Sequence, residues 1–180
     1  MPTRDDSELA RATLAGERQA FDELVDRYEL RIYSLALRVT GNTADAMDAT
    51  QSTFLKAYRN LHRFDTGRPF FSWIYRIGMN ESLDTIQERR RFVDLDPEWA
   101  SGAASPEQES ASREAGREIQ NAVLELPPEQ RAVVVLRHFH GLSYQEMSVV
   151  IGVPVKRIKS RLFEARSALR ERLVHLGLAP

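Results

Sequence analysis

Apolar residues recur every third or fourth position through most of the chain, the period of an amphipathic helix. Phe21, Leu24, Val25, Tyr28, Ile32, Leu35, Ala36 and Val39 fall on one such face and predict a long helix. Gly41-Asn42 ends it, and Asn42 or Thr43 can cap a third helix whose apolar members are Met47, Phe54, Leu55, Tyr58 and Leu61. FDTGRP then breaks the pattern, and a further helix is expected from about residue 70 to residue 91. With a short helix near residues 6–15, residues 1–91 read as an all-α bundle.

Between residues 92 and 115 the periodicity fails. DLDPEWASGAASPEQESASREAG is rich in Ser, Ala, Gly and Glu and carries Pro97 and Pro106, the composition of a flexible linker. Helical pattern returns over 116–180. Pro127-Pro128 starts one helix, which His140-Gly141 ends. Ser143 and Glu146 form an S-x-x-E capping box for a short helix reaching about Val150. Ile151-Gly152-Val153 supplies a turn, and Pro154 opens the last helix. The expected fold is therefore all-α, with two small helical domains joined by a flexible acidic linker. A short helix, a glycine turn and a longer basic helix make a helix-turn-helix.

Charge sharpens this division. The formal net charge of the whole chain is −1. That value conceals a balanced block over 1–91, an acidic block of net −6 over 92–125 and a basic block of net +5 over 126–180. No apolar run approaches the roughly 20 residues that span a bilayer, so no membrane insertion is expected. The N-terminal stretch lacks the basic start and apolar core of a secretory signal. Cysteine is absent, which excludes disulfides and thiolate metal sites and fits a cytoplasmic protein.

Most of the positive charge sits in VPVKRIKSRLFEARSALRER. On a helix turning roughly 100° per residue, Val155, Ile158, Leu162, Ala165 and Leu169 share an apolar stripe. Lys156, Arg157, Lys159, Ser160, Phe163, Glu164 and Arg166 fall on or beside the opposite face, with Arg161 among the flanking cations. A cationic face carrying a hydroxyl and an apolar tip suits major-groove readout, and the flanking arginines suit phosphates. In the first domain, RPFFSWIYRIGMN puts Phe70, Phe71, Trp73 and Tyr75 beside Arg68 and Arg76, followed by Asn80. Four aromatics in six residues cannot all face one core. Some, with Phe71, Ile74 and Trp73 the first candidates, belong to the core; the rest suit stacking on unpaired bases.

His138 and His140 stand two residues apart, about 200° around a helix, and cannot share a metal there. No HExxH motif or glycine-rich phosphate loop occurs, so neither an enzyme nor a metal or other cofactor is expected.

These segments resemble, in order, the group IV (extracytoplasmic function, ECF) sigma factors of bacterial RNA polymerase. AFDELVDRYELRIYSLALRVTGNTADAMDATQSTFLKAYRNL resembles the opening of the family's region 2, and FFSWIYRIGMNESLD its melting segment. LPPEQRAVVVLRHFHGLSYQEMSVVIGVPVKRIKSRLFEARSALRE resembles region 4. The resemblance implies an alternative sigma factor that binds core RNA polymerase and reads the minus-35 and minus-10 promoter elements. Residues 1–91 would be region 2, 92–115 the linker and 116–180 region 4. Asp45, Asp48, Gln51 and Phe54 would meet the clamp helices of the largest subunit. Region 4 would meet the flap with its apolar side and minus-35 DNA with Lys156, Arg157, Lys159, Ser160, Arg161, Phe163 and Arg166. Arg68, Phe70, Phe71, Trp73, Tyr75, Arg76 and Asn80 would serve minus-10 recognition and melting, with Asn80 and the loop 66–70 capturing a flipped base. An anti-sigma factor is a further implied partner. The alternative is a helix-turn-helix regulator that is not a polymerase subunit.

Overall fold

The computed structural model describes residues 4–95 and 111–177, and the side chains of residues 4–91 and 116–177. Eight α-helices occur among them: α1 (Asp6–Leu14), α2 (Arg18–Thr40), α3 (Thr43–Asn60), α4 (Phe70–Leu95), α5 (Ala111–Glu125), α6 (Pro128–Val134), α7 (Tyr144–Ile151) and α8 (Val155–His175). A 3-10 turn, Leu61–Arg63, follows α3, and a π-helical segment, Val135–Phe139, continues α6. No strand occurs among the described residues.

Local signals set the helix ends. Asp5 caps α1 in a reciprocal capping box with Glu8. α2 stops where Gly41 turns left-handed at φ 71°, and the Asn42 side chain accepts from the Asp45 amide to start α3. α4 runs on to Leu95, four residues into the stretch expected to be linker. Nothing in RRRFVDL breaks a helix. At the other end α5 already begins at Ala111, in the helix-favouring run ASREA. The remainder of the expected linker, 96–110, lies outside the described residues.

The first four helices enclose one core. The predicted α2 face is buried at Phe21, Leu24, Tyr28, Ile32, Leu35, Ala36 and Val39, with Val25 half-buried. α3 departs from expectation. Its buried face consists of Ala46, Ala49, Thr50, Thr53, Phe54 and Ala57. Met47, Leu55 and Tyr58, assigned to the core by their apolarity, are 60%, 51% and 45% exposed. Small residues let α3 lie close to its neighbours, which leaves its large apolar side chains outside.

α5–α8 form the second unit, centred on Val133, Leu136, Met147, Val150, Ile158 and Leu162. It packs on the first, with α7 along α4. Arg131 ties them together: its guanidinium, 5% exposed, donates to the Val39 carbonyl at 2.6 Å and to the Leu124 and Leu126 carbonyls. Burial pushes the pKa of this cation down, with Arg90 adding to the effect.

Candidate nucleic-acid and partner interfaces

The helix-turn-helix forms as its residues dictate. Ser143 Oγ accepts from the Glu146 amide at 3.2 Å, and Glu146 Oε2 accepts from the Ser143 amide at 2.7 Å. The Ser143 backbone amide, and then the Ser143 hydroxyl, hold the Glu146 carboxyl below its usual pKa. Gly152 takes φ 77°, a left-handed turn that other residues enter only with strain. Pro154 is the N-cap of α8 rather than its first residue.

α8 buries Ile158, Leu162 and Ala165 and half-buries Val155 and Leu169, the stripe its sequence predicts. Lys156, Arg157, Lys159, Ser160, Phe163 and Arg166 are exposed together, and Arg161 lies half-buried at their edge. Phe163 is 74% exposed, an apolar tip that fills no core. Among the described residues no carboxylate pairs with Lys156, Arg157, Lys159 or Arg161, so that face presents unneutralised charge. The Lys159 ammonium stands 5.6 Å from the Tyr144 ring centre, and Arg137 lies 5.1 Å from the same ring. Ser160 Oγ donates back to the Lys156 carbonyl, leaving its lone pairs outward.

The α4 candidates divide. Phe70 and Tyr75 are 2% and 3% exposed and belong to the core, as does Ile74. Neither aromatic is available as an open stacking surface in this arrangement. Phe71 and Trp73, the first candidates for core, are instead half-buried. Phe70 lies against Tyr28, Phe64 and Trp73 at ring distances of 5.5, 5.3 and 5.6 Å. Trp73, Arg76 and Asn80 follow one another along the outer stripe, with Arg76 and Asn80 exposed. Asn80 comes ten residues after Phe70, about 15 Å along the axis at the rise of an α-helix. Asn80 therefore stands almost three helical turns from Phe70, where the loop joins α4. Arg68, on that loop, is largely exposed and lies 3.3 Å from Asp65.

Beside this stripe the second unit closes over α4. Tyr75 Oη and His140 Nδ1 share a hydrogen bond of 3.1 Å, and Arg76 reaches over the Gly152 turn. Burial, then Arg38 and Arg31, push the His140 imidazole down to about 4. Neither this histidine nor Arg131 stood out in the sequence as an inter-unit contact.

On the far side of the first unit, α2 and α3 border an open groove of about 870 Å³. Phe21, Val25, Leu30, Met47, Asp48, Gln51, Phe54, Leu55 and Tyr58 are among its lining residues. Leu30 is 79% exposed. The four expected clamp residues occupy different places around it: Asp48 and Gln51 are exposed on its rim, and Phe54 is buried at its floor. Asp45 lies in a neighbouring polar groove between α3 and α4, ion-paired with Arg89 at 3.1 Å. Met47, Leu55 and Tyr58 are apolar members of α3 in the sequence but lie exposed, while Leu30 falls outside the predicted α2 face. The run of Ala and Thr at 46, 49, 50, 53 and 57 was the signal that the buried face of α3 lies elsewhere.

Two halves with this architecture, one a bundle with an exposed groove and the other a helix-turn-helix with a bare cationic face, define a multi-surface DNA-reading protein. Residues 24–92 match the Sigma-70 region 2 family and residues 116–169 match Sigma-70, region 4. The ECF RNA polymerase sigma factor SigW of Bacillus subtilis is 35% identical over 170 residues, covering 88% of this chain and 91% of SigW. CnrH, solved in complex with the cytosolic domain of CnrY, superposes with a TM-score of 0.73 at 28% identity, covering 94% of this chain and 97% of CnrH. The sigma factor RpoE of Bartonella quintana, solved with the anti-sigma factor NepR, gives a TM-score of 0.71 at 25% identity, over 85% of this chain and 96% of that one. The chain belongs to the ECF family of RNA polymerase sigma factors. No described helix is long and apolar enough to cross a membrane.

Proposed function

We propose that this chain directs promoter-specific initiation by joining core RNA polymerase through the α2–α3 groove and reading promoter DNA at two separate faces. It acts in the cell interior by binding, with the chemistry left to the polymerase. The exposed face of α8 enters the major groove of the upstream, minus-35 duplex. Phe163 meets a thymine methyl, Lys159 meets a guanine or phosphate, and the other cations neutralise phosphates. The stripe Trp73, Arg76 and Asn80 follows the downstream, minus-10 strand, and the loop 66–70 receives a base turned out of the stack. The roughly 15 Å of helix axis between Phe70 and Asn80 favours different nucleotides for the loop and for Asn80. Phe70 and Tyr75 support this surface from below.

One observation carries the reading: a single chain exposes both a bare cationic α8 and an apolar α2–α3 groove that its own core does not fill. A regulator acting without polymerase has use for the first and none for the second. The clamp helices of the largest subunit are the occupant of the groove, and the flap is the contact of the second unit. An anti-sigma factor is a further partner, by likeness to RpoE bound to NepR. Transcription reconstituted from core polymerase, this chain and a library of promoter fragments tests the proposal. The expected result is initiation from a subset sharing one upstream and one downstream element. Tight sequence-specific duplex binding by the chain alone, with no initiation on adding core polymerase, would establish the regulator instead.

A further inference from the structure

The loop between the 3-10 turn and α4 is well shaped but weakly attached. Phe64 anchors its start, 7% exposed and tilted against Trp73 at 5.2 Å. Beyond it Asp65, Gly67, Arg68 and Pro69 are exposed. Asp65 Oδ1 accepts from the Gly67 amide at 3.0 Å, and the Asp65 carbonyl accepts from the Arg68 amide at 2.9 Å. These internal bonds fix the loop's shape without fixing where it stands.

Among the described residues one side chain from another element donates a hydrogen bond to this loop. Ser7 Oγ, on α1, donates to the Thr66 carbonyl at 3.0 Å. Ser7 is itself held in place. Asp5 and Glu8 on either side form the capping box of α1. Asp6 accepts from Arg27 at 2.8 Å and from the Tyr28 hydroxyl at 2.5 Å. The Tyr28 ring lies against Phe70, which begins α4 at the loop's other end. The attachments thus close a circuit from α1 through Thr66 to Phe70, Tyr28 and Asp6. α1 lies before residue 24, where the match to region 2 starts.

We propose that Ser7 is a positioning residue for the downstream strand: by pinning the Thr66 carbonyl, it sets the height of the loop 64–69 at which one extruded base is received. The inference rests on the assignment of that loop to base capture made above. Freed of Ser7, residues 65–69 keep their turn but lose a fixed station relative to α4. Discrimination then falls at the nucleotide the loop receives and nowhere else.

The test uses polymerase reconstituted with the parent chain, Ser7→Ala, Ser7→Thr and, as a loop control, Arg68→Ala. Pre-opened templates carry each of the four bases at each downstream position, and relative initiation rates give the discrimination ratio at every position. Ser7→Ala should lower that ratio roughly three- to tenfold at one position, the worth of one neutral hydrogen bond. Ser7→Thr, which keeps the hydroxyl, should restore it. Upstream duplex recognition should stay at the parent value, and Tm should fall by no more than a few degrees, the cost of one hydrogen bond. If Ser7→Ala leaves every ratio unchanged while Arg68→Ala lowers one, Ser7 does not position the loop and base capture survives. A uniform loss across positions, or no rescue by Ser7→Thr, also overturns the proposal by reducing Ser7 to a fold contact. If Arg68→Ala too changes no ratio, base capture by this loop falls and takes the proposal with it.

Discussion

Truncating Leu30 and Leu55 together isolates the contribution of the α2–α3 groove. The two side chains are 79% and 51% exposed, so they hold up little of the core. Fully burying a leucine side chain is worth about 1.5–3 kcal/mol, and scaling by these exposures leaves about 2–4 kcal/mol for a partner that covers both. Alanine retains part of that area, so Leu30→Ala with Leu55→Ala should weaken binding to core polymerase by about 1.5–3 kcal/mol, or about 10- to 150-fold. Stability should change by less than about 0.5 kcal/mol per site. Fluorescence anisotropy of a labelled chain titrated with core polymerase reads the affinity, and thermal melting of the same samples reads the fold. The loss should also persist at high salt, because burial of apolar surface is not screened. Leu24→Ala is the contrast: at 0% exposure it should cost about 2–5 kcal/mol of stability. An affinity within twofold of the parent for the double variant, with the fold intact, would refute the groove as the polymerase contact.

Phe163→Ala should leave Tm unchanged, since that ring is 74% exposed, and should weaken recognition of the upstream element by about 1–3 kcal/mol; equal footprints for variant and parent on intact duplex would remove Phe163 from base readout. Arg131→Ala strips the Val39, Leu124 and Leu126 carbonyls of a donor. Unpaired buried carbonyls cost about 1–3 kcal/mol each, partly offset by no longer burying a cation, so Tm should fall by roughly 5–15 °C; an unchanged or raised Tm would show that this contact is not stabilising. His140 has a pKa of about 4 in the packed arrangement, below the ordinary 6.5, so the packed state binds fewer protons than a separated one. Its stabilising contribution is complete above about pH 6.5 and is lost as pH falls toward 4. Energy transfer between labels on the two units should therefore decline from pH 7.5 to pH 5 in the parent and less so in His140→Leu, and identical profiles would exclude His140 as the titrating group.

How much of this was legible in the sequence depended on what each helix packs against. α8 has one packed side and one free side, so its polarity pattern maps directly onto exposure, and Lys156, Arg157, Lys159, Ser160, Phe163 and Arg166 emerge together. α2 is similar, except that Leu30 sits on its outer side. α3 misled because periodicity was read from large apolar residues, whereas its close approach to its neighbours is built from alanine and threonine. In α4 the pattern showed that four aromatics could not all be core, yet it could not choose among them. Tertiary neighbours made the choice: Tyr28 and Phe64 surround Phe70, and His140 covers Tyr75. Arg131 lay beyond reach for another reason. Helical periodicity separates polar from apolar faces, and it carries no record of which carbonyls at the end of a distant helix need a donor.

The division of exposed surface also accounts for a DNA-reading protein whose net charge is close to zero. Positive charge is kept on α8, where Lys156, Arg157 and Lys159 stand without carboxylate partners among the described residues, while Arg172 is paired with Glu125 and Asp45 with Arg89. So few phosphate contacts should give the isolated chain only weak, salt-sensitive affinity for duplex. The groove works differently, through apolar surface that salt does not screen. On the proposed assignment, occupation of the groove would bring α8 and the α4 stripe to their DNA at the effective concentration set by the assembly, so that two weak contacts act as one strong one. A stronger basic patch would raise duplex affinity at every sequence and lower discrimination. In the proposed arrangement, weak DNA faces joined to a separate apolar docking groove would make promoter reading conditional on polymerase.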